Sequence, residues 1–195
     1  MQDKNTLAAN SNENNNVVLS DDSKQHPNFK NTKHHISWPS WEEDVAELTT
    51  QLNFHGNPLD RDYQFVYGIP RGGLTLATQL SHRLGIPLVS DAPGYWMLDW
   101  YHWRMKQGIE LKSNCKNILI ADAICDTGAT IDYVVKDFMN AIRQTKDPDQ
   151  WSITFCAVDV DPSVIDKVDY YVNIKNPKQW YVYPWEIGSQ ELLSL

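Results

Sequence analysis

Apolar positions recur with two different periods along this chain, and the switches between them lay out its elements. Trp41, Val45, Leu48 and Leu52 fall at helical spacing, and Ser40 with Glu43 reads as a capping box that starts this first helix. Shorter apolar runs follow, which predict strands over Tyr63 to Ile69, Ile86 to Val89, Asn117 to Ala121, Trp151 to Val158 and Tyr170 to Ile174. Between them, helical patterns cover Gly73 to Leu84, with Leu74, Ala77, Leu80 and Leu84 on one face, and Thr130 to Gln144. Strand and helix alternate, so the expected fold is α/β, a central and mostly parallel sheet flanked by helices. Ligands in such sheets bind beyond the carboxyl ends of the strands, where the loops after Ile69 and Ala121 both emerge.

The first thirty-six residues, Met1 to Ile36, break this pattern. They are rich in Asn, Ser, Asp and Lys and hold too few apolar side chains to offset the entropy of ordering, so they read as a disordered polar tail. His26, His34 and His35 lack partner ligands at defined spacing and read as solvated tail residues. The remaining 37–195 suffice for one core, since the whole chain has 195 residues and 42% hydrophobic content. A net charge of -8 with no Lys/Arg cluster argues against nucleic acid as a partner. No stretch is long or apolar enough for a membrane helix or a signal peptide. Cys115, Cys125 and Cys156 are odd in number and lack zinc spacing, which suggests reduced thiols and a cytoplasmic protein.

The chemistry concentrates in Ile118-Leu-Ile-Ala-Asp-Ala-Ile-Cys-Asp-Thr-Gly-Ala-Thr130, a buried strand that runs into carboxylates and a small, hydroxyl-rich turn. The amides of Thr127, Gly128, Ala129 and Thr130, two threonine hydroxyls and a positive helix end can hold a phosphate dianion with no lysine present. Gly128 lets backbone and ligand approach closely. The run lacks the Gly-Lys-Ser/Thr ending of a nucleoside triphosphate loop and the spaced glycines of a dinucleotide fold, so a sugar phosphate fits better. Asp126 beside Thr127 also suits a helix N-cap. A second turn, Tyr67-Gly-Ile-Pro-Arg-Gly-Gly73, again sits between strand and helix and aims amides and the Arg71 cation at one spot.

The thirteen-residue run resembles the phosphoribosyl pyrophosphate (PRPP) signature of type I phosphoribosyltransferases. Tyr67 to Gly73 resembles that family's pyrophosphate loop, and Trp180-Tyr-Val-Tyr-Pro-Trp-Glu186 resembles the base-binding hood of its bacterial xanthine-guanine and archaeal 6-oxopurine branch. The resemblance covers about Ser37 to Ser189, with the hood near 175–189. It implies transfer of a 5-phosphoribosyl group from PRPP to a nucleobase, a 6-oxopurine first of all, with release of pyrophosphate and with Mg2+ as cofactor. By the same resemblance Arg71, Gly72 and Gly73 hold pyrophosphate, and Asp122 binds the ribose hydroxyls and the metal. Thr127, Gly128, Ala129 and Thr130 grip the 5'-phosphate, and Asp126 meets the purine N7 as general base or charge partner. Trp180 stacks on the base, Tyr181 offers backbone atoms to its edge, and Glu186 completes the hood; Trp180 also suits plain core packing. Homodimers or homotetramers are implied as well.

Two positions depart from the family pattern. Ala123 stands where a second acid is usual, and Val158 stands where a lysine normally contacts the purine O6, so Lys175 or Lys178 can substitute only if the hood turns them inward. These departures keep other readings open: a non-catalytic PRPP- or nucleotide-binding regulator, a transferase for an unusual acceptor, or an assembly protein. The aromatic segment with Tyr95, Trp96, Trp100, Tyr101 and Trp103 lies where the family carries a flexible loop that closes over the site, and it equally suits a subunit contact. Asp99, His102, Arg104 and Lys106 receive no role.

Overall fold

The computed structural model describes residues 32–54, 63–90, 93–107 and 116–186, and among them are seven strands and four α-helices. In chain order they are β1 (Lys33–His35), α1 (Trp38–Phe54), β2 (Tyr63–Gly68), α2 (Gly72–Leu84), β3 (Leu88–Val89), α3 (Pro93–Lys106), β4 (Lys116–Cys125), α4 (Ala129–Ile142), β5 (Trp151–Val160), β6 (Tyr170–Ile174) and β7 (Trp180–Val182). Strands β3-β2-β4-β5-β6 form one five-stranded sheet in that order, every pairing parallel. This matches the α/β expectation.

Alternate side chains of the central strands feed two cores. Phe65, Tyr67, Ile118 and Ile120 pack with Met97 and Tyr101 of α3 and with Val134 and Phe138 of α4. On the opposite face Val66, Leu119 and Cys156 pack with Trp41, Val45 and Leu48 of α1 and with Leu76 and Leu80 of α2. Burial on both faces is why these strands read as continuous apolar runs. Among the described residues, no helix is long and apolar enough to cross a membrane.

Several expectations need correction. The segment expected to be an unstructured tail contributes β1, because Lys33, His34 and His35 pair in parallel with Trp180, Tyr181 and Val182 of β7; residues 1–31 lie outside the described residues. The hood is therefore a two-stranded unit made from both ends of the domain, and His34 packs its ring 4.8 Å from Tyr181. Helix α1 starts at Trp38, not Ser40, and Ser37 Oγ accepts a hydrogen bond from the Ser40 amide at 3.2 Å, so Ser37 takes the capping role. β4 does not stop at Ala121. It continues through Asp122 to Cys125, because β5 offers ladder partners as far as Asp159 and Val160. The aromatic segment is not a loop over 93–106 but helix α3, docked on α4 where Asp137 Oδ2 accepts a 2.8 Å bond from the Gly94 amide. Residues 108–115, including Cys115, lie outside the described residues, while Cys125 and Cys156 are buried free thiols.

One approach fixes the sheet to the first functional loop. A Cβ on Gly73 would lie 2.3 Å from the Ala121 carbonyl oxygen, so only glycine lets α2 start directly against β4. A Cβ on Gly72 would meet only the Ala123 Cβ at 3.5 Å and Asp122 Oδ1 at 3.7 Å, which is ordinary contact. Gly73→Ala should therefore destabilise the fold by about 2 kcal/mol or more, as overpacking does, whereas Gly72→Ala should leave it nearly unchanged. Equal thermal melting midpoints for the two variants would refute the close-approach argument.

Candidate active site

Parallel pairing of β2 with β4 ends both strands at one edge of the sheet, with Gly68 opposite Ala121. The Ile69 amide donates to the Ala121 carbonyl at 3.0 Å, so the turn that follows is anchored to β4. That turn carries a cis Pro70–Arg71 peptide and leaves Arg71 exposed as the residue that precedes α2. Arg71 makes no side-chain cap hydrogen bond, and its position beside the first amides of α2 suits an anion. Gly72 reaches Asp122, so the turn predicted to hold pyrophosphate adjoins the carboxylate predicted to hold ribose.

Asp122 lies within β4 and is largely enclosed. Burial pushes its carboxyl up to about 7, against hydrogen bonds from the Ala123 and Ile124 amides that favour the anion. The Ala123 amide donates to Oδ1 at 2.8 Å. Beyond β4 the chain turns through Asp126 and Thr127, and Gly128, with φ 73°, starts α4 at Ala129. Asp126, Thr127, Ala129 and Thr130 are exposed at the first turn of α4, where the Ala129 amide donates a long 3.4 Å bond to Thr127 Oγ1. Asp126 is not the cap of α4, because that position belongs to Gly128. Its carboxylate instead pairs with Lys175, which is only 5% exposed and also lies 3.8 Å from Asp161 Oδ2. Burial raises Asp161, but hydrogen bonds from Ser163 and the Lys175 charge outweigh it and hold this carboxyl below its usual range.

The hood stands beside this edge. Trp180 is 54% exposed, so it is not a core residue. The Tyr181 hydroxyl accepts a 3.0 Å bond from the Asn176 amide, and Glu186 folds back so that Oε2 accepts a 3.2 Å bond from the Tyr183 amide. Tyr183, which sequence reasoning passed over, ties the hood to the signature strand. Its hydroxyl lies 2.7 Å from Asp159 Oδ2 and 3.1 Å from the Ala123 carbonyl, and its ring stacks on Trp185 and meets the edge of Trp41. Only the buried tyrosine's need for a polar partner could have signalled this. A cavity of about 250 Å³ opens under the hood between His34, Asp44, Asp159, Asn173 and Tyr181, away from Arg71 and Asp126.

Of the sites expected from the sequence, Arg71 to Gly73 and Asp122 to Thr130 thus adjoin at one edge, and the hood with Trp180, Tyr181 and Glu186 is tied to that edge through Tyr183. Lys175 is turned inward, while Lys178 is exposed. Among the described residues, no three His, Cys, Asp or Glu side chains gather to hold a metal. Mg2+ commonly binds through one or two carboxylates together with substrate phosphates, and a single enclosed carboxylate such as Asp122 fits that manner of binding.

Residues 36–191 match the family model described as phosphoribosyl transferase domain. The chain is 27% identical over 164 residues to the xanthine-guanine phosphoribosyltransferase of Cereibacter sphaeroides, covering 80% of this chain and 88% of that protein. It is 26% identical over 161 residues to the enzyme of the same name from Desulfotalea psychrophila, covering 80% and 87%. Among solved structures, the purine phosphoribosyltransferase from Pyrococcus horikoshii superposes with a TM-score of 0.54 at 26% identity, over 79% of this chain and 94% of that one. The Helicobacter pylori xanthine-guanine-hypoxanthine phosphoribosyltransferase reaches 0.59 at 19% identity, over 84% and 99%, which speaks for the fold.

Asp159 gives a pH test of the hood knot. Burial pushes its carboxyl up to about 6, partly offset by the hydrogen bond from Tyr183. A raised folded-state pKa favours the fold below the unfolded value and withdraws that contribution as pH rises through 6. Relative to Asp159→Asn, which keeps an acceptor for Tyr183, the parent should lose about 2 kcal/mol of stability between pH 4 and pH 7. Parallel denaturant-unfolding profiles across that range would contradict it.

Proposed function

Because the chain belongs to the phosphoribosyl transferase family, we propose that it moves the 5-phosphoribosyl group of PRPP to a ring nitrogen of a 6-oxopurine and releases pyrophosphate. The observation that carries this reading is the pair of helix N-termini, of α2 and α4, that flank the enclosed Asp122 at the ends of adjacent strands. Two anion sites on either side of a carboxylate suit a sugar that is phosphorylated at both ends.

In this reading the bond from ribose C1 to pyrophosphate breaks with its electrons leaving on the diphosphate, while the base nitrogen supplies the pair for the new bond. Arg71 and the amides of Gly72 and Gly73 receive the departing charge. Asp122 accepts hydrogen bonds from the ribose hydroxyls, and Thr127 to Thr130 hold the 5'-phosphate. Asp122 would also hold Mg2+, which supplies charge neutralisation at the diphosphate when bound. Asp126 faces the imidazole edge of the base, where it holds or accepts a proton. Trp180 offers a stacking face, and Tyr181 and Glu186 hold the hood beside it.

Lys175 supports the choice of an oxopurine. Its ammonium is donor only, so beside Asp126 it complements a carbonyl oxygen and repels an exocyclic amine, and it lies inward although Val158 occupies the β5 position. The buried thiols of Cys125 and Cys156 suit a reducing compartment, so we place the reaction in the cytoplasm, and the exposed Trp103 and Tyr133 offer a surface for a homodimer or homotetramer. One observation favours a second reading, a PRPP-binding regulator without turnover: Ala123 leaves a single carboxylate at the ribose.

Pyrophosphate release from PRPP and Mg2+, with hypoxanthine, guanine, xanthine, adenine, uracil and orotate offered singly, separates the two. Release dependent on a 6-oxopurine is expected; PRPP binding by calorimetry with no release for any base would favour the regulator. Asp126→Asn should cut kcat by about a hundredfold or more with PRPP affinity kept within about tenfold. Unchanged turnover would remove Asp126 from the chemistry. Lys175→Met should raise KM for the oxopurine more than KM for PRPP, and equal increases would deny it a role in reading the base.

A further inference from the structure

We propose that Lys167, from the short helical turn Pro162–Lys167 between β5 and β6, is a further ligand for the 5'-phosphate and closes over the loop formed by Thr127 to Thr130. The proposal rests on the phosphoribosyl transfer read above and adds a charged group to a site that the sequence presents as built without a lysine.

The placement is direct. A Cβ on Gly128 would lie 2.9 Å from Lys167 Cδ and 3.3 Å from Lys167 Nζ, so the lysine stem crosses the glycine at the start of α4. Gly128 is buried although its neighbours Thr127 and Ala129 are exposed, which fits a stem laid across it. Glycine at this position thus serves two demands, since φ is 73° and the space a side chain would occupy belongs to Lys167. The ammonium is held 2.5 Å from Asp132 Oδ2, one turn into α4. Both side chains of this pair are partly exposed, at 39% and 63%, so solvent screens the pair and a dianion can outcompete it.

The energetics favour transfer of the lysine to phosphate. A phosphate at the helix start offers two negative charges and more acceptor oxygens than one screened carboxylate, and the bonds it makes to an ammonium are charge-assisted. The Nζ, already 3.3 Å from where a Gly128 Cβ would lie, needs only rotation about the last bonds of its stem to turn from Asp132 toward a phosphate seated at the start of α4. Asp132 then acts as a resting place that keeps the lysine over the loop between turnovers. Among the described residues, no corresponding cation crosses Gly72 in the other loop, where the nearest side-chain atoms belong to Ala123 and Asp122. The effect is therefore specific to the 5'-phosphate end of the sugar.

Calorimetric titration of the full chain with PRPP, ribose 5-phosphate and pyrophosphate tests this. Lys167→Met, which keeps the stem and removes the charge, should weaken PRPP and ribose 5-phosphate by about tenfold and leave pyrophosphate unchanged. The salt dependence of ribose 5-phosphate binding should become shallower. Lys167→Arg should restore most of the affinity, and Asp132→Asn should tighten ribose 5-phosphate by freeing the lysine. If Lys167→Met binds ribose 5-phosphate as the parent does, or weakens all three ligands alike, the proposal falls while phosphoribosyl transfer stands. If the parent binds neither PRPP nor ribose 5-phosphate, both readings fall together.

Discussion

Everything at the site depends on how closely the start of α2 lies against β4. The missing Cβ of Gly73 lets the helix begin over the Ala121 carbonyl, and the Ile69 amide bonds to that same oxygen. The strand pair β2–β4 thereby sets the distance between two helix N-termini that face the same edge. Were α2 moved outward to admit a methyl group, Gly72 would draw away from Asp122, and in the proposed reading the two anion sites would no longer span one sugar. A backbone approach of this kind holds position more rigidly than side-chain contacts could, because neither partner has a side-chain torsion to relax.

The charges at this edge are arranged as pairs that a ligand can exchange. Lys175 rests on Asp126 with Asp161 behind it, and Lys167 rests on Asp132. Burial decides how these pairs differ. Lys175 is enclosed and cannot leave carboxylate contact without another acceptor, whereas Lys167 is half open to water. In the proposed reading the first pair suits fixed recognition of a base, and the second capture of a mobile dianion. Asp122 has no lysine among the causes of its shift, and its raised carboxyl is what an enclosed acid shows when its compensation comes only from backbone amides.

The order of strands and helices was legible because apolar runs buried on both faces give an unambiguous signal, and the Gly and Asp-Thr-Gly turns mark where β2 and β4 deliver their loops. What sequence could not give was tertiary. The three residues Lys33 to His35 are polar and join a strand only because β7 presents a free edge to them. β4 outran its apolar stretch because β5 continued to supply ladder partners past Asp122. Lys167 lies far along the chain from Gly128, and Tyr183 far from Ala123, so no local pattern could pair them. Lys175 was visible as a candidate, but its inward turn follows from the Lys175 amide bonding to the Val160 carbonyl at 2.8 Å, which extends the β5–β6 pairing by one residue.

Ala123 is the departure that most changes how the site is built. Its side chain is 1% exposed and belongs to the core on the α1 and α2 face, packed among Leu76, Ala77, Val158 and Tyr183. A carboxylate there would be buried beside the already perturbed Asp122, with Gly72 on one side and the hood tyrosine on the other. The small residue instead lets the Tyr183 hydroxyl reach the Ala123 carbonyl and fastens the hood to the signature strand. Val158 fits the same logic, since it is wholly buried in that core, and the buried lysine that meets Asp126 comes instead from the far end of β6. Ala123 and Val158 thus belong to one buried core, while the charged groups Asp126, Asp161 and Lys175 stand on the segments that flank it.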